Sequence, residues 1–318
     1  MPVTQSPLDS RDIPYQPKPI VHGAYDLRID DSVIEDQGSE SSCTAHAVTS
    51  ACEILMGRNM DFNHLSRHFA YFYARDRARE GQQGCPLREV LHTVKNRGCC
   101  YEQDWPFIPQ NRDIEPPREI TTKALQVGQI VRYERMMGSG MQLLEAIKSS
   151  ISEGFPVVFV MRLTLPFTLL RGSFVDQHTK TPYRGSAAGY PLLDDHAMCI
   201  VGYSGNRLII KNSWGTGWGD NGYGLIQADA VYDILEAWCI KGFSRGGVDL
   251  SSIPAWLATK TDTDIDMMFL RLIEKNPRYW ALHGLSKRNG GGRAGFQRMA
   301  TMLGFTKMNE LNQWVFSI

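Results

Sequence analysis

The hydrophobic pattern of this chain changes period partway along, and that change limits the folds open to it. Between residues 43 and 56, Ala45, Val48, Ala51, Cys52 and Leu55 recur at spacings of three and four, the period of an amphipathic helix. Ser41 or Ser42 can cap its start, and Gly57 can end it. Further helices are expected at about 64–80, "HLSRHFAYFYARDRARE", and at 86–97, "PLREVLHTVKNR". Downstream, "PVVFVMRL" (156–163), "HAMCIVGYS" (196–204), "RLIIKNSW" (207–214) and "GYGLIQ" (222–227) are short β-branched or aromatic runs bounded by Gly, Asn and Pro. Such runs predict the strands of an antiparallel sheet or barrel. Beyond "SRGGVD" (244–249) the texture turns helical again. A helical block, a sheet block and a helical tail imply an α+β protein. No internal repeat or low-complexity tract interrupts that order.

Composition narrows the function classes. With 318 residues and 42% hydrophobic content, the chain can bury one large or two small cores. Its 34 basic residues balance 34 acidic ones, so the summed charge gives no case for nucleic acid or a membrane surface. No apolar run approaches the ~20 residues of a spanning helix. The first twenty residues, rich in Pro, Ser and Gln, lack the basic start and apolar block of a secretory signal and read as an extended arm. Seven cysteines, at 43, 52, 85, 99, 100, 199 and 239, form no CxxC pair. An odd, unmatched set argues against a disulfide framework or a thiolate metal site, and no metal or cofactor is expected.

Cys43 stands apart from the other six. It follows two serines at a predicted helix start, where unpaired backbone N–H groups and the helix dipole favour thiolate over thiol. A thiolate nucleophile needs a proton carrier. His46, on the same helix, points along it and reads as a surface or packing residue. His196 opens a strand-like run, and Asn212 follows it sixteen residues later in "KNSWGTGWGDNGYG". An Asn212 carbonyl can accept one imidazole N–H, leaving the other nitrogen for sulfur, with Trp214 placed to shield that bond from water.

These residues resemble the papain-like cysteine peptidase family over roughly residues 25–243. "DQGSESSCTAHA" is similar to the family's nucleophile segment, "DDHAMCIVGY" to its histidine strand and "IKNSWGTGWGDNGYG" to its asparagine segment. "GQQGCPLREVLHTVKNRGCCYEQDWPF" resembles its intervening loop, helix and Trp-Pro segment. The resemblance implies a papain-like two-subdomain fold: a helical part (about 25–125) and a barrel-like antiparallel part (about 126–245), with the active-site cleft between them. An N-terminal arm (1–24) precedes this 25–245 domain, and a helical extension (246–318) follows it. Carried over residue by residue, Cys43 is the nucleophile, His196 its acid/base partner and Asn212 the orienting residue. Gln37 joins the Cys43 N–H at the oxyanion. Gly84 would meet the substrate backbone; Ala197 and Val160 would line an apolar pocket, with Trp214 completing the substrate-side set.

The implied activity is a thiol-dependent endopeptidase with a thioester acyl-enzyme, acting on a peptide or protein substrate. An acyltransferase or transglutaminase-like enzyme and a catalytically inactive binding protein remain as alternatives.

The chain also departs from the family pattern. Glu40 and Gly81 stand where the family has a disulfide pair, which favours a reducing compartment, either cytoplasmic or a host cytosol reached by delivery. Thr44 replaces the usual tryptophan, and the resulting "SCTA" looks like a bacterial-type branch. Ser41 and Gln83 replace glycines. The arm is too short for the family's helical pro-domain, so either it lies over the cleft or it is a free tail, the favoured reading. In the extension, Lys287, Arg288, Arg293 and Arg298 surround a glycine triplet, read as a solvated loop. Its methionine-rich stripes fit a small core or a docking surface for a protein partner.

Overall fold

The computed structural model describes residues 5–20, 23–57, 63–77, 84–172, 174 and 181–244. The expectations for the 246–318 extension, its helices and its partner, lie outside the described residues, as do Gly81 and Gln83. By its contacts the chain forms one unit of Met1–Leu55 with Phe62–Gly246 and a second of Met56–Asp61 with Gly247–Ile318. Gln37, Cys43, His196 and Asn212 all belong to the first unit.

The described helices are α1 (Cys43–Gly57), α2 (Arg67–Arg77), α3 (Leu87–Arg97), α4 (Arg118–Val127), α5 (Gly140–Ser152) and the short α6 (Leu165–Thr168). The strands are β1 (Ala24–Asp26), β2 (Gln129–Ile130), β3 (Tyr133–Arg135), β4 (Val157–Thr164), β5 (Leu192–Ser204), β6 (Arg207–Lys211), β7 (Tyr223–Gln227), β8 (Ile234–Ile240) and β9 (Phe243–Ser244). The main sheet runs β3-β8-β4-β5-β6-β7, with β1 on β5 and every pair antiparallel. Helices with an antiparallel sheet make the predicted α+β class.

The expected amphipathic helix at Cys43 is present but differs in character. Every residue of α1 is buried, including Thr44, His46, Thr49, Ser50 and Glu53. A helix enclosed on all sides must satisfy its polar side chains internally. Thr49 Oγ1 returns to the Ala45 carbonyl at 2.8 Å, and His46 Nδ1 meets the Ser42 carbonyl at 3.1 Å. His46 packs edge-on against Phe107, so of its two expected roles it takes packing. The predicted strand at 207–214 stops at Lys211, which leaves Asn212–Trp214 as a loop at the sheet's end.

The N-terminal arm is an ordered part of the fold, which overturns its reading as a free tail. Arg135 at the end of β3 exchanges backbone hydrogen bonds with it, accepting from the Tyr15 N–H and donating to the Ile13 carbonyl, both at 2.8 Å. Tyr15 is buried, and its hydroxyl meets Ser149 at 2.9 Å and Glu153 at 2.7 Å on and beside α5.

Candidate active site

Antiparallel lacing, more than any single helix, assembles the site. The segment before α1 lies against the loop after β6. The Gln37 N–H donates to the Ser213 carbonyl at 2.9 Å, the Gly215 N–H to the Glu35 carbonyl at 3.0 Å, and Asp36 bridges to Trp214. Gly222 makes this approach possible: its φ is +88°, and a Cβ there would stand 2.4 Å from a methyl of Ile34. Its carbonyl also holds the Asn212 N–H at 3.0 Å. The start of α1 and the asparagine loop are thereby fixed to one another.

β5 brings His196 to the same place. Its Nε2–H donates to Asn212 Oδ1 at 2.8 Å, so in the neutral ring Nδ1 keeps the lone pair. Trp214 stacks on the imidazole with centroids 4.6 Å apart and planes 28° apart, covering the bond as expected. Trp214 thus covers one face of the histidine ring. The backbone N–H of Ala197, the residue after His196, is near enough to the Cys43 sulfur to pull its pKa down. Cys43, His196, Asn212 and Gln37 are thus gathered from α1, β5 and the two laced segments.

Electrostatics at the thiol run against the simple helix argument. Cys43 is 1% exposed, and burial pushes its pKa up to about 11, outweighing the N–H groups of Ala197 and Thr44 that pull it down. Burial also drives His196 down to about 4, against the pull of its Asn212 bond. In this closed arrangement both groups are neutral at pH 7.

Three contributors escaped the sequence reading. Ser213 ties the site together: its N–H donates to Asn212 Oδ1 at 2.8 Å and its hydroxyl to Gln37 Oε1 at 2.6 Å. The Gln37 amide nitrogen donates to the Glu40 carbonyl at 2.6 Å. Below the site, Lys211 Nζ contacts Asp31 Oδ1 at 2.6 Å and Ser32 Oγ at 3.0 Å, and Tyr223 donates to Asp31 Oδ2 at 2.8 Å. Ser32 donates in turn to Glu53 of α1, which pairs with Arg67 of α2 at 2.8 Å. The third is Glu236 on β8. Lys211 and Ser213 flank Asn212 in sequence, which is the signal that could have found them. Glu236 had none, being a charge within an apolar run.

The pocket residues are placed but not open. Val160 of β4 pairs with Ala197 of β5 on one side and Glu236 of β8 on the other, and Val160 and Ala197 are fully buried. Gly84, buried with φ +81°, leads into Cys85, whose thiol meets Thr44 Oγ1 at 3.1 Å. Among the described residues no cluster of side chains suits a metal ion, and no helix is long and apolar enough to cross a membrane.

The sequence pattern of the papain family cysteine proteases matches residues 23–239. The chain belongs to that family. An uncharacterized peptidase C1-like protein of Acanthamoeba polyphaga mimivirus is 31% identical over 220 residues, 64% of this chain and 68% of that protein. Cysteine proteinase 1 of Entamoeba histolytica is 26% identical over 199 residues, 60% of this chain and 58% of that protein. Xylellain, a cysteine protease from Xylella fastidiosa, superposes with a TM-score of 0.62 at 22% identity, covering 76% of this chain and 95% of its own. The papain-like fold is thus shared with a bacterial protein. The sequence relatives include proteins of a virus, amoebae and animals, so a bacterial branch is not singled out.

Proposed function

We propose that the chain is a thiol peptidase that cleaves peptide bonds through Cys43, His196 and Asn212. The observation that carries this reading is the His196–Asn212 bond beneath Trp214, with the N–H of the next residue, Ala197, acting on the Cys43 thiol. His196 Nδ1 takes the thiol proton, and the thiolate adds to the substrate carbonyl carbon. The oxyanion is met by the Cys43 N–H at the start of α1 and by the Gln37 amide, which Ser213 and Glu40 hold in place. The imidazolium returns its proton to the departing amine, leaving a thioester on Cys43. Water, deprotonated by His196, then hydrolyses that thioester.

An asparagine at position 212 favours hydrolysis over the acyl-transfer alternative, because those enzymes typically orient the histidine with aspartate. All seven cysteines are free thiols, which supports a reducing compartment for the working protein.

An epoxide-type thiol trap tests the proposal. It is expected to label wild type at Cys43 and to block cleavage of a mixed peptide library, while Cys43→Ala neither labels nor cleaves but keeps its circular dichroism spectrum. Cleavage that survives in Cys43→Ala would refute the assignment.

A further inference from the structure

The turn before the nucleophile carries a carboxylate that the rest of the fold holds loosely. The turn closes on itself: the Glu40 N–H donates to the Gln37 carbonyl at 3.2 Å, and the Gln37 side-chain amide returns to the Glu40 carbonyl at 2.6 Å. The Glu40 backbone is thereby fixed beside the proposed oxyanion donor, and its side chain must find a partner elsewhere. That side chain is 10% exposed. Among the described residues its carboxylate meets only Arg112, whose Nη1 stands 3.4 Å from each oxygen. A charge-assisted hydrogen bond closes to about 2.7–2.9 Å, so an enclosed carboxylate here lacks a close cation.

Arg112 has a second carboxylate to turn to. It lies between α3 and α4 with its side chain 52% exposed, and its Nε meets Asp113 Oδ2 at 3.4 Å, the same distance as to Glu40. Arg75 of α2 pairs with Asp113 and donates to the Arg112 carbonyl at 2.9 Å, while its guanidinium lies 5.3 Å from the centre of the Tyr71 ring. Arg75 thus anchors the backbone at 112–113, and the Arg112 side chain is shared between two anions. An exposed, shared guanidinium loses little when another cation takes one of its partners. Glu40, enclosed and under-coordinated, gains a close one.

We infer that Glu40 receives a basic side chain on the substrate residue whose carbonyl Cys43 attacks, and that Arg112 turns to Asp113 when that side chain arrives. The inference rests on the peptidase reading for the position of the substrate. In that reading the attacked carbonyl oxygen is met by the Gln37 amide, and Glu40 is the next residue that this amide touches. A side chain on the same substrate residue starts from the carbon beside that carbonyl, so it must be long to pass Gln37 and reach the Glu40 carboxylate. Lysine and arginine have the length and carry the charge. Arginine suits the site better, because its fork can engage both carboxylate oxygens, which here share one distant nitrogen.

The test uses the full chain and changes one charge in the substrate. Two peptides with the same fluorogenic amide differ only in the residue before the scissile bond, arginine in one and its uncharged isostere citrulline in the other. The readout is the ratio of their kcat/KM values, from which any loss common to both peptides cancels. Wild type is expected to favour arginine about tenfold, and Glu40→Gln to bring the ratio within about twofold of one. Arg112→Gln removes the competing cation and is expected to raise the ratio about threefold. A wild-type ratio near one, a preference for citrulline, or a ratio that Glu40→Gln leaves unchanged would overturn the assignment. If wild type cleaves neither peptide, the peptidase reading has failed. The rates at which the matching arginyl and citrullinyl chloromethyl ketones alkylate Cys43 then give the same ratio, and alkylation by neither overturns the inference as well.

Discussion

Two buried polar assemblies lie a few residues apart in this molecule and are built on opposite principles. Around Lys211, ammonium, carboxylates, hydroxyls and guanidinium are matched donor to acceptor, save for Arg67 Nε, from Tyr223 through Asp31, Ser32 and Glu53 to Arg67. One residue further on, Asn212 Nδ2 is buried with no hydrogen-bond partner among the described residues, and Cys43 and His196 are both held neutral. The nearly saturated network ties α1 to the sheet through Glu53, Ser32 and Lys211. In the proposed mechanism the unsaturated one holds groups in states they would leave when charge develops beside them at a reacting carbonyl. Stability and reactivity are thus divided between neighbouring residues of one loop.

The largest expected effect breaks the saturated side. Lys211→Met leaves the Asp31 carboxylate buried without its cation, which costs about 3–5 kcal/mol of stability by the usual measure of a half-broken buried pair. Adding Asp31→Asn removes the orphaned charge and is expected to recover most of that loss, as followed by urea unfolding. If Lys211→Met alone unfolds at the wild-type urea midpoint, the network is not what fixes α1.

Breaking the other side should have the reverse signature. Gln37→Ala removes a proposed oxyanion donor and is expected to lower kcat by about 10²–10³-fold. Its thermal midpoint should fall far less than that of Lys211→Met. Ser213→Ala, which frees both Gln37 and Asn212 from their tie, is expected to reduce kcat by a smaller factor, about tenfold, with KM little changed. Steady-state kinetics on one peptide substrate checks both. A Ser213→Ala enzyme with wild-type kcat would mean that the two side chains hold their places without it.

Legibility in the sequence depends on which forces act locally. Helix starts, strand runs and the Cys43, His196, Asn212 and Gln37 set can be read because period, turn glycines and a family pattern mark them within a few residues. β8 is hidden because Glu236 interrupts "ILEAWCI", and that charge is tolerated because Ser6, some 230 residues away, Trp238 and Arg135 all meet it. α5 is hidden because it falls in the part read as a sheet (about 126–245), ahead of the first strand-like run, with Leu143, Leu144, Ile147 and Ile151 buried. At Cys43 the helix-start N–H groups do favour the thiolate. Desolvation outweighs them, and its size depends on how deeply distant parts of the chain enclose the sulfur.

The same enclosure predicts an acid sensitivity that separates packing from catalysis. His46, one turn after the nucleophile on α1 but facing Phe107, is lowered to about 3 by burial and by the nearby Arg67 cation. In the unfolded chain its imidazole titrates near 6.5, so between pH 6.5 and about 3 the unfolded state holds one more proton than the folded state at this residue. Stability from His46 is therefore full above pH 6.5 and drains as pH falls, by about 2 kcal/mol at pH 5. His46→Leu removes that proton while keeping an apolar side chain against Phe107. Plotted against pH, its unfolding free energy should fall less steeply on acidification than that of wild type. The carboxyls whose pKa values burial raises, such as Glu102, act with the opposite sign in both proteins and cancel in the difference. Parallel curves for the two proteins would show that His46 titrates in the folded state as it does in the unfolded chain.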